Sequence, residues 1–255
     1  MGMEFNRIQF TPDVVPSDVT GFTMYDKQNG QFSYHEGAVM CNLLLADEIN
    51  RTSSKTQSAL LEVMEEGRVT VDGETHCVPS PFVVIATENP VGSSGTQLLP
   101  ESQLDRFMIK LSMGYPDPAS EIAILKDRQG ANPLNDVKQV VDGKDIVMMQ
   151  AETDYLHMDA AIIEYITMLS FATRQNPLIE LGVSPRGSIA LAGMSKARAY
   201  ISGRTYVTPE DVQSIFKDVA GHRIILNPRA KISSVTIDEV IDNIFRTVPV
   251  PRAMR

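Results

Sequence analysis

The stretch Met40-Cys41-Asn42-Leu43-Leu44-Leu45-Ala46-Asp47-Glu48 decides how the rest of the chain is read: an apolar run closed by two adjacent carboxylates. A run this short, apolar at successive positions, reads as a strand over 40–46 buried on both faces of a parallel sheet. Ligands of such sheets sit beyond the carboxyl ends of the strands, where Asp47 and Glu48 fall. Two neighbouring acids can divide labour there, one holding a hydrated metal ion and the other orienting a water for attack on a phosphate. The plain alternative is a core strand that runs into a solvated acidic loop. The motif alone does not choose between them.

Upstream, Asn6 to Thr11 alternates polar and apolar residues and reads as a strand; Thr11-Pro12-Asp13 breaks it, and Pro16-Ser17-Asp18 opens a helical turn. Gly21 to Gly37 reads as an inserted extended segment containing a short strand over 31–34. Downstream, Thr52-Ser53-Ser54 offers an N-cap for a helix over 55–66, whose Ala59, Leu60, Val63 and Met64 recur at helical spacing, and Gly67 is placed to end it. Asp72-Gly73 between the alternating runs 68–71 and 74–78 is a hairpin signal. Phe82-Val83-Val84-Ile85-Ala86 reads as a second doubly buried strand, ended by Thr87-Glu88-Asn89-Pro90. A Gly- and Ser-rich loop over 91–99 is expected to be mobile; 101–107 reads as helix and 108–111 as a further strand.

Gly114-Tyr115-Pro116-Asp117-Pro118 marks the domain boundary, since neither helix nor strand tolerates it. The chain thus divides into an α/β core over 1–115 and an all-α domain over 116–255. Helices are expected over 119–129, from about 144, over 159–175, from Ser184-Pro185-Arg186 to about 203, from Thr208-Pro209-Glu210-Asp211, and over 237–248.

Composition narrows the function classes. The 255 residues carry a net charge of −9, which argues against a surface built broadly for nucleic acid or anionic membrane. No apolar run approaches the roughly 20 residues that cross a bilayer, and no leader pattern is present. Cys41 and Cys77 form no C-x-x-C pair, and His35, His76, His157 and His222 lack ligand spacing, so no protein-held zinc is expected. These features describe a soluble protein of the reducing cytoplasm.

Four features line up along the chain: Asp47-Glu48 ending one buried strand, Asn89 ending another, Arg106 in Leu104-Asp105-Arg106-Phe107, and Arg186 at a helix start. Each has an ordinary explanation. Asn before Pro is a turn former, an exposed arginine is commonly ion-paired, and Ser-Pro-Arg is helix-start chemistry. Their order and spacing are harder to reach by accident.

That order resembles the AAA+ ATPases, and among them the MoxR family, which is similar to the magnesium-chelatase ATPase subunit. The resemblance covers nearly the whole chain. It rests on Arg7-Ile8-Gln9-Phe10-Thr11-Pro12-Asp13 with Pro16-Ser17-Asp18 and Gly21, on Leu44 to Arg51, and on Ala86-Thr87-Glu88-Asn89-Pro90. Leu99-Pro100-Glu101, Leu104-Asp105-Arg106-Phe107, Gly114-Tyr115-Pro116 and Ser184-Pro185-Arg186 complete it. The resemblance implies an AAA+ sheet followed by a helical lid, with ATP and Mg2+ as cofactors. It implies that Asp47 holds magnesium through water, Glu48 orients the attacking water, and Asn89 senses the γ-phosphate. Arg106 would be the arginine finger reaching a neighbouring subunit's nucleotide, and Arg186 would contact the nucleotide of its own subunit from the lid. It further implies a hexameric ring. The 68–78 hairpin and the 22–39 insert are candidate surfaces for remodelling a partner protein, for which the resemblance suggests one of von Willebrand A type.

One family hallmark is missing: these residues contain no G-x-x-x-x-G-K-[ST] phosphate loop. Losing three charge-assisted hydrogen bonds to phosphate would weaken nucleotide binding by about 5 kcal/mol, on the order of several thousand-fold. The expectation is therefore a fragment or truncated relative of a MoxR-type ATPase, not competent for hydrolysis alone, with unpaired strand edges. A rival reading is a non-catalytic protein-binding scaffold derived from such an ATPase. A DNA-remodelling motor is disfavoured by the acidic balance.

Overall fold

The computed structural model describes residues 1–27, 29–89, 99–128 and 136–251. The first half contains β1 (Phe5–Gln9), α1 (Pro16–Thr20), β2 (Gly21–Asp26), β3 (Gln31–Glu36), β4 (Leu43–Asp47), a 3-10 turn (Ile49–Arg51) and α2 (Ser54–Glu66). The hairpin β5 (Arg68–Val71) and β6 (Glu74–Cys77), then β7 (Val83–Ala86) and the short α3 (Glu101–Leu104), follow. β1, β4 and β7 form a three-stranded parallel sheet with β4 in the middle, in the register Phe5↔Leu43↔Val83. The strand ending in Asp47 therefore lies beside the strand leading to Asn89, and both end at the same rim.

Side chains alternate across a sheet, so this register sorts them into two faces. Leu44 and Ala46 are fully buried in one cluster with Phe10, Ile49, Leu60 and Leu61, under α2. The opposite face is open. Phe5 is 57%, Val83 37% and Ile85 53% exposed, and Leu43 and Leu45 are half-buried. The expectation of strands buried on both faces is thus corrected: among the described residues only one side of the sheet carries a packing layer.

Local signals place the connections. Ser53 Oγ accepts from the Thr56 N–H at 3.3 Å to start α2, and Gly67 ends it in the left-handed region at φ 62°. Asp72 and Gly73 both have positive φ, as a two-residue type I′ hairpin turn requires. The insert over 21–37 is the antiparallel hairpin β2–β3, and the Tyr34 ring stacks on His76 of β6 at 3.8 Å, tying the two hairpins together.

Two expectations need correction. The helix at 101–107 is regular only over Glu101–Leu104, and 105–107 continue as turns. The strand expected over 108–111 does not form: among the described residues β7 is the last strand of the sheet on that side. The lid holds that segment instead: the Lys110 N–H donates to the Asp218 carbonyl, and Arg223 takes the Phe107 and Met108 carbonyls. The loop expectation over 91–99 falls, apart from Leu99, outside the described residues, as does Gln129 of the expected 119–129 helix.

The second half is helical: α4 (Pro118–Asp127), α5 (Gly143–Asp154), α6 (Ala160–Gln175), α7 (Pro185–Ile201), α8 (Pro209–Ala220), α9 (Pro228–Ile232) and α10 (Ile237–Thr247). A two-stranded ribbon of β8 (Ile179–Leu181) and β9 (Ile225–Leu226) joins them. Leu169, Leu191, Phe216 and Ile244, each from a different helix, are buried in one closed core. α4 contributes no buried residue, and Ile122 and Leu125 on it are exposed. Among the described residues no helix is long and apolar enough to cross a membrane.

Candidate functional site

The rim shared by β4 and β7 is built around the Thr87 hydroxyl. It donates to Asp47 Oδ1 at 2.6 Å and accepts from the Glu48 N–H at 2.9 Å, so one side chain at the end of β7 fixes both acids at the end of β4. Arg7 Nη2 lies 2.6 Å from Asp47 Oδ2 and also donates to Gln9 Oε1 at 3.0 Å. Hydrogen bonds from Thr87 and Arg7 hold the Asp47 carboxyl below the usual carboxylate range, so it is ionised at neutral pH.

Glu48 sits at φ 53°, in the left-handed region that a residue with a Cβ enters at a cost of roughly 1–3 kcal/mol. Its N–H bond to Thr87 and the Ile49 N–H bond to the Thr87 carbonyl at 3.0 Å over-determine that turn. The Glu48 carboxylate accepts from Gln9 Nε2 at 3.0 Å and from Arg51 Nη1 at 2.9 Å. Asn89 lies on the same rim: its backbone N–H donates to Asn50 Oδ1 at 3.4 Å and its carbonyl accepts from Asn50 Nδ2 at 3.2 Å. Thr87 and Arg7 thus take both Asp47 oxygens, and among the described residues no group of three or more His, Cys, Asp or Glu gathers as a ready-made metal site.

A second cluster forms on α2. Arg106 Nη1 pairs with Glu65 Oε2 at 2.6 Å and donates to the Leu61 carbonyl at 3.3 Å, while Arg186 Nη2 pairs with the other oxygen, Glu65 Oε1. Beneath it lies Arg223, whose side chain is 2% exposed. Its Nε donates to Asp105 Oδ1 at 2.7 Å and its Nη2 to the Asp105 and Phe107 carbonyls at 2.9 and 2.6 Å. Ser184, the cap of α7, donates to both Asp105 oxygens at 2.8 and 3.0 Å. Gly187 follows Arg186, and a Cβ there would stand 2.7 Å from Arg223 Cδ, so the glycine makes room for this buried arginine.

Sequence reading named Asp47, Glu48, Asn89, Arg106 and Arg186. The structure brings the first three to the rim and the last two to Glu65. Arg7, Gln9 and Thr87 carry the family resemblance in the sequence without a chemical role of their own, and Glu65 has neither. A usable signal existed for Arg7 and Gln9, which are two apart on an edge strand and so share a face.

A parallel sheet with adjacent acids and an asparagine at one rim, followed by a helical lid bearing an arginine at a helix start, is the layout of a AAA+ module. The comparisons agree. Residues 1–109 match the ATPase family associated with various cellular activities (AAA), and residues 171–244 match the AAA lid domain. YeaC of Bacillus subtilis (strain 168) is 47% identical over 98% of this chain and 78% of its own. Chaperone MoxR1 of Mycobacterium tuberculosis is 39% identical over 99% of this chain and 69% of its own. A crystal structure of a Cytophaga hutchinsonii protein superposes with a TM-score of 0.89 at 37% identity, covering 99% of this chain and 79% of that one. The chain belongs to the MoxR family of AAA+ ATPases.

Proposed function

We propose that these residues form the acid rim, sensor, finger and lid of a MoxR-type ATPase whose ATP turnover drives chaperone-like remodelling of a partner protein. The observation that carries the reading is the Thr87 hydroxyl, which locks ionised Asp47 and strained Glu48 beside the strand leading to Asn89. In this reading Asp47 would hold hydrated magnesium, Glu48 would orient the attacking water, and Asn89 would contact the γ-phosphate or that water. Bound magnesium would supply neutralisation of the phosphate oxygens. Arg106 would meet charge that develops on the phosphoryl group of a neighbouring subunit's nucleotide, and Arg186 would contact the nucleotide of its own subunit from the lid. In the free chain Glu48 is held by Gln9 and Arg51, so substrate binding must release it before it can act.

The working assembly in this reading is a cytoplasmic hexameric ring, since a finger acting on a neighbour's nucleotide needs a neighbour. The hairpins β2–β3 and β5–β6 face the client, for which a von Willebrand A-type protein is the candidate. These 255 residues contain no phosphate loop, so by themselves they bind nucleotide weakly. The test is to join the phosphate-loop segment of YeaC ahead of this chain and measure phosphate release with ATP and magnesium. Turnover that falls at least 100-fold in Glu48→Gln supports the reading. A nucleotide-bound, folded chimera with no turnover would favour the protein-binding scaffold.

A further inference from the structure

We propose that the outer edge of β3 takes up an extended, cation-flanked segment of a client polypeptide as a third strand of the β2–β3 hairpin. The hairpin is regular from Gly21↔Glu36 to Asp26↔Gln31, and among the described residues no strand pairs with the other edge of β3. An edge strand presents a row of main-chain donors and acceptors to solvent, and proteins commonly blunt it with proline, lysine or a bulge. Gln31-Phe32-Ser33-Tyr34-His35-Glu36 has neither proline nor lysine, and its register with β2 has no bulge.

Side chains on both faces of the hairpin lack cover. Alternation puts Phe22 and Met24 on one face with Ser33 and His35, and Tyr25 on the other with Phe32 and Tyr34. Phe22 stacks on His35 and Tyr25 meets Phe32, with ring centroids 5.3 and 5.2 Å apart. Phe32 is nevertheless 74% exposed, and Phe22, Met24 and Tyr25 are about half exposed. A two-stranded hairpin is marginal in water, and a third strand would cover apolar side chains on both faces at once. The base is fixed in advance: Tyr34 stacks on His76 at 3.8 Å and donates its hydroxyl to the Thr20 carbonyl at 2.5 Å. A Cβ on Gly21 would strike the His35 carbonyl, and one on Gly37 the Gly21 nitrogen, so the hairpin sits close against its own root. The ordering cost of docking therefore falls mainly on the incoming segment.

Charge selects the segment. Lys27 is the only lysine or arginine over 21–37, against Asp26 and Glu36, in a chain of net charge −9. Glu36, exposed at the end of β3, takes part in none of the ion pairs among the described residues. The edge thus offers main-chain hydrogen bonds, apolar contact on two faces and a carboxylate at one end. Alternating apolar residues flanked by lysine or arginine match that set. Calling the segment part of a client rests on the ATPase reading; strand addition at this edge does not.

The probe is a blocked peptide, Lys-Val-Thr-Val-Thr-Val-Thr-Val-Lys, titrated calorimetrically into this chain. It should bind, and alternate amides of β3 should gain protection from hydrogen exchange, because every second N–H of an edge strand points outward. Its fully N-methylated analogue keeps the side chains but donates no backbone hydrogen bond, and should bind roughly tenfold or more weakly. Phe32→Ser should weaken binding, and Glu36→Lys should shift preference to the peptide with glutamates at its ends. Thermal melts verify that both variants are folded. No binding, equal binding of the methylated analogue, or β3 amides that stay unprotected in the complex would overturn the proposal. Protection of those amides without peptide, together with a mass that rises with concentration in light scattering, would put a second copy on the edge and overturn it too. Peptide binding needs no nucleotide. A failure here would leave the ATPase reading intact, and a chimera without turnover would leave the docking edge intact.

Discussion

The lid and the α/β layer are built to different degrees of closure. In the lid, Leu169, Leu191, Phe216 and Ile244 bury against one another from four helices, while Ile163, Phe171 and Ile189 on the outer faces of the same helices are exposed. In the α/β layer, α2 covers one side of the sheet, while Phe5, Val83 and Ile85 face solvent on the other. Apolar burial contributes roughly 25 cal/mol per Å², so the same residue types contribute very differently in the two regions. Composition does not reveal this difference; it depends on which faces find a partner.

The largest expected effect breaks the lid. Phe216→Ala removes a fully buried ring from the closed core and should cost about 3–5 kcal/mol in urea denaturation. Ile85→Ala on the open sheet face should stay within about 0.5 kcal/mol. Comparable losses would mean that the sheet face is covered in solution.

The next prediction concerns the joint between the regions. Arg223 belongs to the lid yet spends its donors on Asp105, Phe107 and Met108 of the preceding segment. Arg223→Gln should cost about 3 kcal/mol or more, because it strands a partly buried carboxylate. It should also split a shared unfolding transition into two. A single undiminished transition would show that the two regions are joined by something else.

The smallest effect is pH-dependent and acts at the same joint. Burial, and then the charge of Arg223, push the His222 imidazole down from 6.5 to about 4. Above pH 6.5 the ring is neutral in both folded and unfolded states and contributes no slope. Between pH 6.5 and 4 the unfolded chain takes up a proton that the folded one refuses, so stability falls with pH, by at most about 3 kcal/mol. Asp47, lowered from 3.8, acts only below that window. His222→Asn should flatten the decline between pH 6.5 and 4.5; an unchanged slope would assign it to another group.

Much of this was legible residue by residue. Ser53 and Ser184 accept cap hydrogen bonds at the helix starts read from them, and Asp72-Gly73 turns the hairpin as written, whereas α9 behind Asn227 was not read from the sequence. The acids at the end of the central strand were legible too, because an apolar run followed by charge marks where a buried strand meets solvent. Arg106 and Arg186 could be picked out by motif. Their meeting at Glu65 could not, since Glu65 lies within an ordinary amphipathic helix with nothing local to distinguish it.

The sequence by itself determined the elements, their ends and the residue types available at the rim, because caps, turns and periodicity depend on neighbours a few positions away. Tertiary structure alone decided that residues 108–111 are not a strand, that one sheet face is open, and that two arginines 80 positions apart share one carboxylate. Strand pairing and ion pairing need a partner in space, and the chain states that partner's identity nowhere near the residue that needs it.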